Sequence, residues 1–169
     1  MVDVQERLVP AMHSGEFLVN HVIQLAKGAS VLNLPILATE QYRQGLGPTV
    51  PEVTAAIPGF SPLEKLAFSA CGAPGFLANL QSRGVRDVLL CGIETHVCVL
   101  QTCLDLLGEG YRVFVVRDAM ASRTHENHDA GVERMSGAGA VVVTVEMALF
   151  ELLEQAGTAE FREILKLVK

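Results

Sequence analysis

Positive charge is scarce in this sequence: 13 Lys and Arg stand against 19 Asp and Glu, a formal net charge of −6 over 169 residues. A chain of that balance lacks the basic footprint that phosphate backbones require, so nucleic acid is not an expected partner. Long hydrophobic runs are missing as well. The longest, such as Val113–Val116 and Ala138–Val143, fall far short of the roughly 18 apolar residues that span a bilayer. No basic, then apolar, then small-residue leader opens the chain, so the expectation is no membrane contact and a cytoplasmic location. The four cysteines, Cys71, Cys91, Cys98 and Cys103, show no C-x-x-C spacing, which points to buried thiols in a reducing compartment. A phosphate loop is absent too: Gly137-Ala138-Gly139 has no following Lys and Ser/Thr and reads as a helix stop before a strand. Tryptophan is absent and aromatics supply only 5%, yet 50% of the residues are hydrophobic and the mean hydropathy is +0.34. That composition excludes disorder and low complexity, and describes one domain, residues 1–169, with a large core.

Periodicity sets out the elements. Leu18, Val22, Leu25, Ala29 and Leu32 recur at steps of four and three, which predicts a helix over 16–33 that Pro35 ends. The apolar run 36–38 is followed by a Gly- and Pro-punctuated loop of about 25 residues, a length that carries function or subunit contacts, or merely covers a sheet edge. Strands are expected at 66–70, 88–91, 113–116 and 140–144. Helices are expected at 74–83, 98–107, 125–137, 146–155 and 160–168, with Thr124 as a cap. Fully apolar strands alternating with amphipathic helices indicate a parallel sheet covered on both faces, an α/β fold with right-handed crossovers.

In such a sheet ligands bind beyond the carboxyl ends of the strands. The residues there are Asp3, the segment Thr39-Glu40-Gln41-Tyr42, Lys65, the turn Gly92-Ile93-Glu94-Thr95-His96-Val97-Cys98, and Asp118. Cys98 opens a helix, where free N–H groups and the macrodipole favour a thiolate and the same donors can hold an oxyanion. The plainer alternative is a small apolar helix residue like Cys103. His125 and His128 share a helix face but have no third ligand nearby and read as a solvated first turn. His96 reads as a turn residue at a pocket rim, while His13 and His21 carry no motif.

The segment Leu89-Leu90-Cys91-Gly92-Ile93-Glu94-Thr95-His96-Val97-Cys98-Val99, with Met1-Val2-Asp3-Val4-Gln5 and Lys65 before Phe68-Ser69, resembles the cysteine hydrolases of the isochorismatase-like superfamily. Thr39–Tyr42 and Gly45–Glu52 are similar to stretches of the isochorismatase domain-containing proteins. The resemblance implies a three-layer, Rossmann-like fold with a parallel six-stranded sheet flanked by helices on both faces. Its first strand would be truncated or very short, because only Met1 and Val2 precede Asp3. It further implies a catalytic triad of Asp3, Lys65 and Cys98, with Asp3 taking the thiol proton and Lys65 holding the charged pair. A cis peptide between Ile93 and Glu94 would set the Glu94 N–H beside that of Cys98 as an oxyanion hole. For the proton transfer, Lys65 and the helix terminus must lower the thiol pKa and burial must raise that of the acid. Gln5, Gln41, Tyr42 and Phe68 are the candidate walls of a substrate pocket.

The expected reaction is hydrolysis of a small amide or related acyl compound through a Cys98 thioester. True isochorismatases cleave a vinyl ether without a nucleophilic cysteine, so that reaction is not expected. Enzymes of the nicotinamidase branch carry an Asp and two His around the loop after the second strand. Here Thr39–Gln44 holds no histidine, so neither a metal nor another cofactor is expected. Two further classes remain open: a binding or assembly module with an unused triad, and a thiol-based redox sensor. The last helix carries Phe161, Ile164, Leu165 and Val168 on one face, which fits a homo-oligomer or packing back on its own domain.

Overall fold

The computed structural model describes residues 1–169. Its five strands are β1 (Thr39–Gln41), β2 (Leu63–Lys65), β3 (Asp87–Ile93), β4 (Arg112–Ala121) and β5 (Val141–Val143). All pairings are parallel, as the apolar runs of β3 and β4 require, but the ladders form two pieces, β1–β2 and β3–β4–β5. This corrects the expected six-stranded sheet. The sixth position, at the centre, is held by Val2 alone, which bridges in parallel to Thr39 on one side and Gly92 on the other. The chain cannot continue as a strand because Asp3 turns into the left-handed region at φ 51°, a conformation that Asp tolerates better than most residues.

Helices cover both faces. On one side lie α1 (Gly15–Val31), α7 (Val145–Leu153) and α8 (Ala159–Val168); on the other lie α4 (Phe76–Ser82), α5 (Leu100–Gly108) and α6 (His125–Gly137). The period-two alternation of a strand divides β3 between two cores: Leu90 packs toward α4 and α5, while Cys91 and Ile93 pack toward α1 and α7. Thr124, Thr144 and Thr158 cap α6, α7 and α8 by accepting the N–H of Asn127, Met147 and Phe161, at about 1 kcal/mol each. The apolar face of α8 is used inside the domain, since Ile164 is fully buried against α1 and α7.

Two elements differ from the sequence pattern. The run 66–70 is not a strand: β2 ends at Lys65, and a bend leads into a 3-10 turn at Ala70–Gly72. The long loop is also more structured than its punctuation indicates. Thr39–Gln41 is β1, and two short helices follow, α2 (Arg43–Leu46) and α3 (Pro51–Ala55). Glu40 organises that segment from within. Fully buried, it accepts the backbone N–H and hydroxyl of Thr49 at 2.7 and 2.8 Å and pairs with Arg43.

Gly92 makes the central bridge possible. Its φ is 121°, and a Cβ there would sit 2.0 Å from the Val2 carbonyl oxygen, so any side chain pushes Val2 and Asp3 out of the sheet. Gly92→Ala is therefore expected to cost about 3 kcal/mol or more in urea unfolding. Gly137→Ala, where nothing lies within 4 Å, is expected to be neutral or stabilising by less than about 1 kcal/mol. Equal stabilities for the two variants would contradict the role given to the Val2 bridge.

Candidate active site

Strand ends bring three chemistries together. Asp3 follows the Val2 bridge, Lys65 closes β2, and Cys98 lies in a π-helical turn, Thr95–Val99, between β3 and α5. Lys65 Nζ donates to Asp3 Oδ2 at 2.5 Å, and neither side chain has exposed surface. The remaining ammonium hydrogens go to the carbonyls of Ala67 at 3.1 Å and Phe68 at 2.9 Å, so all three donors of the lysine are used. Thr39 donates its hydroxyl to Asp3 Oδ1 at 2.7 Å. No buried side-chain nitrogen or oxygen in the molecule lacks a partner.

The buried acid and the thiol titrate in the same direction. Burial lifts the Asp3 carboxyl above its ordinary range against the opposing pull of Lys65. The Cys98 thiol is pushed up to about 12, first by burial and next by the charge of Asp3, while Lys65 and the Glu94 backbone N–H pull it down by less. The expected raised acid is therefore present, but the expected lowered thiol is not. The reason is that the cysteine, 6% exposed, is desolvated, and the charge of Asp3 raises the thiol further than Lys65 lowers it. Cys98 rests as a thiol.

The Ile93–Glu94 peptide is cis, and the Glu94 N–H faces the Cys98 sulfur. Arg123 holds the Glu94 side chain at 2.8 Å. His96 Nδ1 contacts Ser122 Oγ at 2.9 Å, and His128 Nδ1 contacts Thr95 Oγ1 at 3.0 Å, so His96 ties the turn to the end of β4 and His128 ties it to α6. Gly131 of α6 lets that helix approach it: a Cβ there would lie 3.1 Å from the His96 Cα. Asp118 does not join the group, because its carboxylate accepts the Val145 N–H at the start of α7.

The four candidate pocket residues divide. Gln5 is fully buried, and its carboxamide bonds to Gln41 N, Gln41 O and Gly47 O at 2.8, 3.0 and 2.7 Å, so it clamps the neighbouring backbone. Gln41 Oε1 accepts the Cys98 thiol hydrogen at 3.2 Å. Tyr42 and Phe68, 55% and 50% exposed, stand near this group together with Leu66, which is 78% exposed. Leu66, next to Lys65, was not singled out for a site role by sequence, and Thr39 only as part of the segment Thr39–Tyr42. No group of three or more His, Cys, Asp or Glu side chains is placed to hold a metal ion.

Comparison with known proteins supplies the family. The model of the Isochorismatase domain matches residues 1–147. Isochorismatase domain-containing protein 2A of Mus musculus is 40% identical over 170 residues, covering 100% of this chain and 81% of the mouse protein. Among solved structures, MAR1 ribonuclease from Caenorhabditis elegans superposes with a TM-score of 0.93 at 36% identity, over 99% of this chain and 86% of that one. YcaC from Pseudomonas aeruginosa, solved with hexane-2,5-diol and covalent acrylamide, gives 0.90 at 30% identity, over 98% and 85%. The Escherichia coli YcaC product, described as an octameric hydrolase of unknown specificity, gives 0.90 at 27%, over 98% and 84%. With this agreement in sequence and fold along the chain, the protein belongs to the isochorismatase domain family.

Proposed function

We propose that this protein is a cysteine hydrolase that cleaves a small amide or related acyl compound through a thioester on Cys98. The observation that carries the reading is the contact of Cys98 with the fully buried Asp3–Lys65 pair at the carboxyl edge of the sheet. As sulfur attacks the acyl carbon, Asp3 takes the S–H proton. The carbonyl oxygen becomes an oxyanion held by the N–H groups of Glu94 and Cys98. Asp3 returns the proton to the leaving nitrogen as the C–N bond breaks. Water then attacks the thioester with Asp3 taking its proton, and the departing sulfur recovers that proton as the carboxylic acid leaves. Lys65 keeps Asp3 oriented throughout and, with its donors fully used, transfers no proton itself.

A thiol pushed up to about 12 fits general-base attack, in which the proton leaves as the S–C bond forms, better than a standing thiolate. It also speaks against an oxidant sensor, which needs an accessible low-pKa sulfur. The covalent acrylamide in the Pseudomonas YcaC structure supports a reactive nucleophile in a relative of this fold. The ribonuclease activity named for the nematode neighbour is not carried over, since a net charge of −6 disfavours a phosphate-backbone substrate. We also propose a homo-oligomer, supported by the octamer described for the Escherichia coli relative. We also propose a cytoplasmic location, supported by four free cysteines; no helix is long and apolar enough to cross a membrane.

Against a panel of small amides, Cys98→Ala and Cys98→Ser are expected to lose at least about a thousandfold in kcat/KM; retained turnover in Cys98→Ala would remove Cys98 as nucleophile. Removing one charge of the buried pair leaves the other unpaired, so Asp3→Asn and Lys65→Met should each destabilise by about 3–5 kcal/mol. The double variant should recover part of that loss in urea titrations, and additive losses would show that the two charges do not act as a pair. Size-exclusion chromatography with light scattering should give a multiple of 18.2 kDa; a monomeric mass would dismiss the oligomer.

A further inference from the structure

Gln41 sits where the thiol hydrogen points. We propose that Gln41 is a positioning residue that latches resting Cys98 in its protonated form, holding the S–H away from Asp3 until an entering acyl group displaces the carboxamide. Only the last clause depends on the hydrolase reading.

A thiol has one hydrogen, so two acceptors compete for it. Asp3 can keep the proton that it accepts and lies within hydrogen-bonding reach of the sulfur, while its Oδ1 and Oδ2 also take hydrogens from Thr39 and Lys65 at 2.7 and 2.5 Å. Gln41 Oε1 lies 3.2 Å from the sulfur, and a neutral amide oxygen is far too weak a base to keep a proton. The bond to Gln41 is thus unproductive for transfer and favours the thiol over the thiolate. The burial that raises the thiol pKa acts in the same sense.

Two features fix the carboxamide in this orientation. The fully buried Gln5 grips the Gln41 backbone from both sides, donating to its carbonyl at 3.0 Å and accepting its N–H at 2.8 Å. At the other end of the side chain, Nε2 faces the carbonyl of Leu66 at 3.4 Å. An oxygen at that place would meet another oxygen, so the Leu66 carbonyl selects the rotamer that turns Oε1 toward sulfur. Leu66 is 78% exposed, so a molecule packing on it can disturb the orienting bond. Once Oε1 is displaced, the S–H rotates to Asp3: the S–H bond breaks as the O–H bond forms on the carboxylate, and the sulfur is released to attack.

Alkylation of Cys98 reads this latch without any substrate. Rates with iodoacetamide and with iodoacetate, followed by mass spectrometry between pH 6.5 and 10, should rise about tenfold per pH unit in the unsubstituted protein without levelling off. Gln41→Met keeps length and volume but removes the acceptor. It should react about three- to tenfold faster at each pH, by the same factor with both reagents, as expected for losing one hydrogen bond to the thiol. Gln41→Glu should react more slowly, because a carboxylate disfavours the thiolate. If Gln41→Met is unchanged or slower, or accelerates one reagent only, the latch is overturned, the last case being a change of access. A displaced profile without Cys98-dependent amide turnover would support the latch while the hydrolase reading fell. An unchanged profile with such turnover intact would remove the latch alone.

Discussion

Asp3 and Lys65, neither with any exposed side-chain surface, bind each other at the point where the sheet is thinnest. Taking two charges out of water costs several kcal/mol per ion, and attraction between them offsets this only when every remaining donor and acceptor is satisfied. Here they are. Thr39 completes Asp3, and the carbonyls of Ala67 and Phe68 complete Lys65. These demands shape the surrounding chain: β1 must begin where Thr39 reaches the carboxylate, and the segment after β2 must turn its carbonyls inward toward the ammonium. The polar network therefore acts as a template for both neighbouring segments.

That template explains which parts of the sequence could be read and which could not. The helices at 16–33, 98–107, 125–137 and 160–168 and the strands at 88–91 and 113–116 were legible, because each buries a periodic apolar face in one of the two cores. The run 66–70 was misleading for a physical reason. Leu66 and Phe68 are apolar but exposed, and Lys65 draws in the carbonyls that an extended strand would offer to a neighbour. Apolar residues beside a reactive group thus imitated a core strand. Similarly, Gln5 reads as a wall from its place beside Asp3, but its carboxamide is spent on three backbone groups. Burial of an amide is not visible in sequence spacing. The positions of Asp3, Lys65 and Cys98 were legible through the resemblance, whereas the direction of the thiol pKa was not. It depends on how completely the sulfur is desolvated and on how near Asp3 lies, and neither follows from residue order.

The raised thiol and the raised acid together constrain how such a site can work. A buried carboxyl that holds its proton more strongly is a stronger base when ionised, which narrows the gap to the thiol. The thiol's own rise to about 12 widens that gap again. The transfer must therefore be driven by the reaction itself: charge leaves sulfur for the acyl oxygen as the bond forms, and the backbone donors stabilise it there. Lys65 cannot follow the charge outward because its three hydrogens are fixed. It serves as a constant field that keeps Asp3 ionised and in place.

The position of Asp3 links this chemistry to the architecture. The bonds of Val2 to Cys91 and Ile93, of Met1 to Leu37 and Thr39, and of Asp3 to Thr39 lock the halves of the sheet together. These main-chain bonds cross the sheet directly beneath the acid. A lateral shift of one half against the other would separate Asp3, carried by the bridge, from Lys65 on β2 and Cys98 beyond β3. Because the ion pair spans that seam, its attraction opposes the separation, so the interaction that tunes the acid also helps to hold the sheet in register.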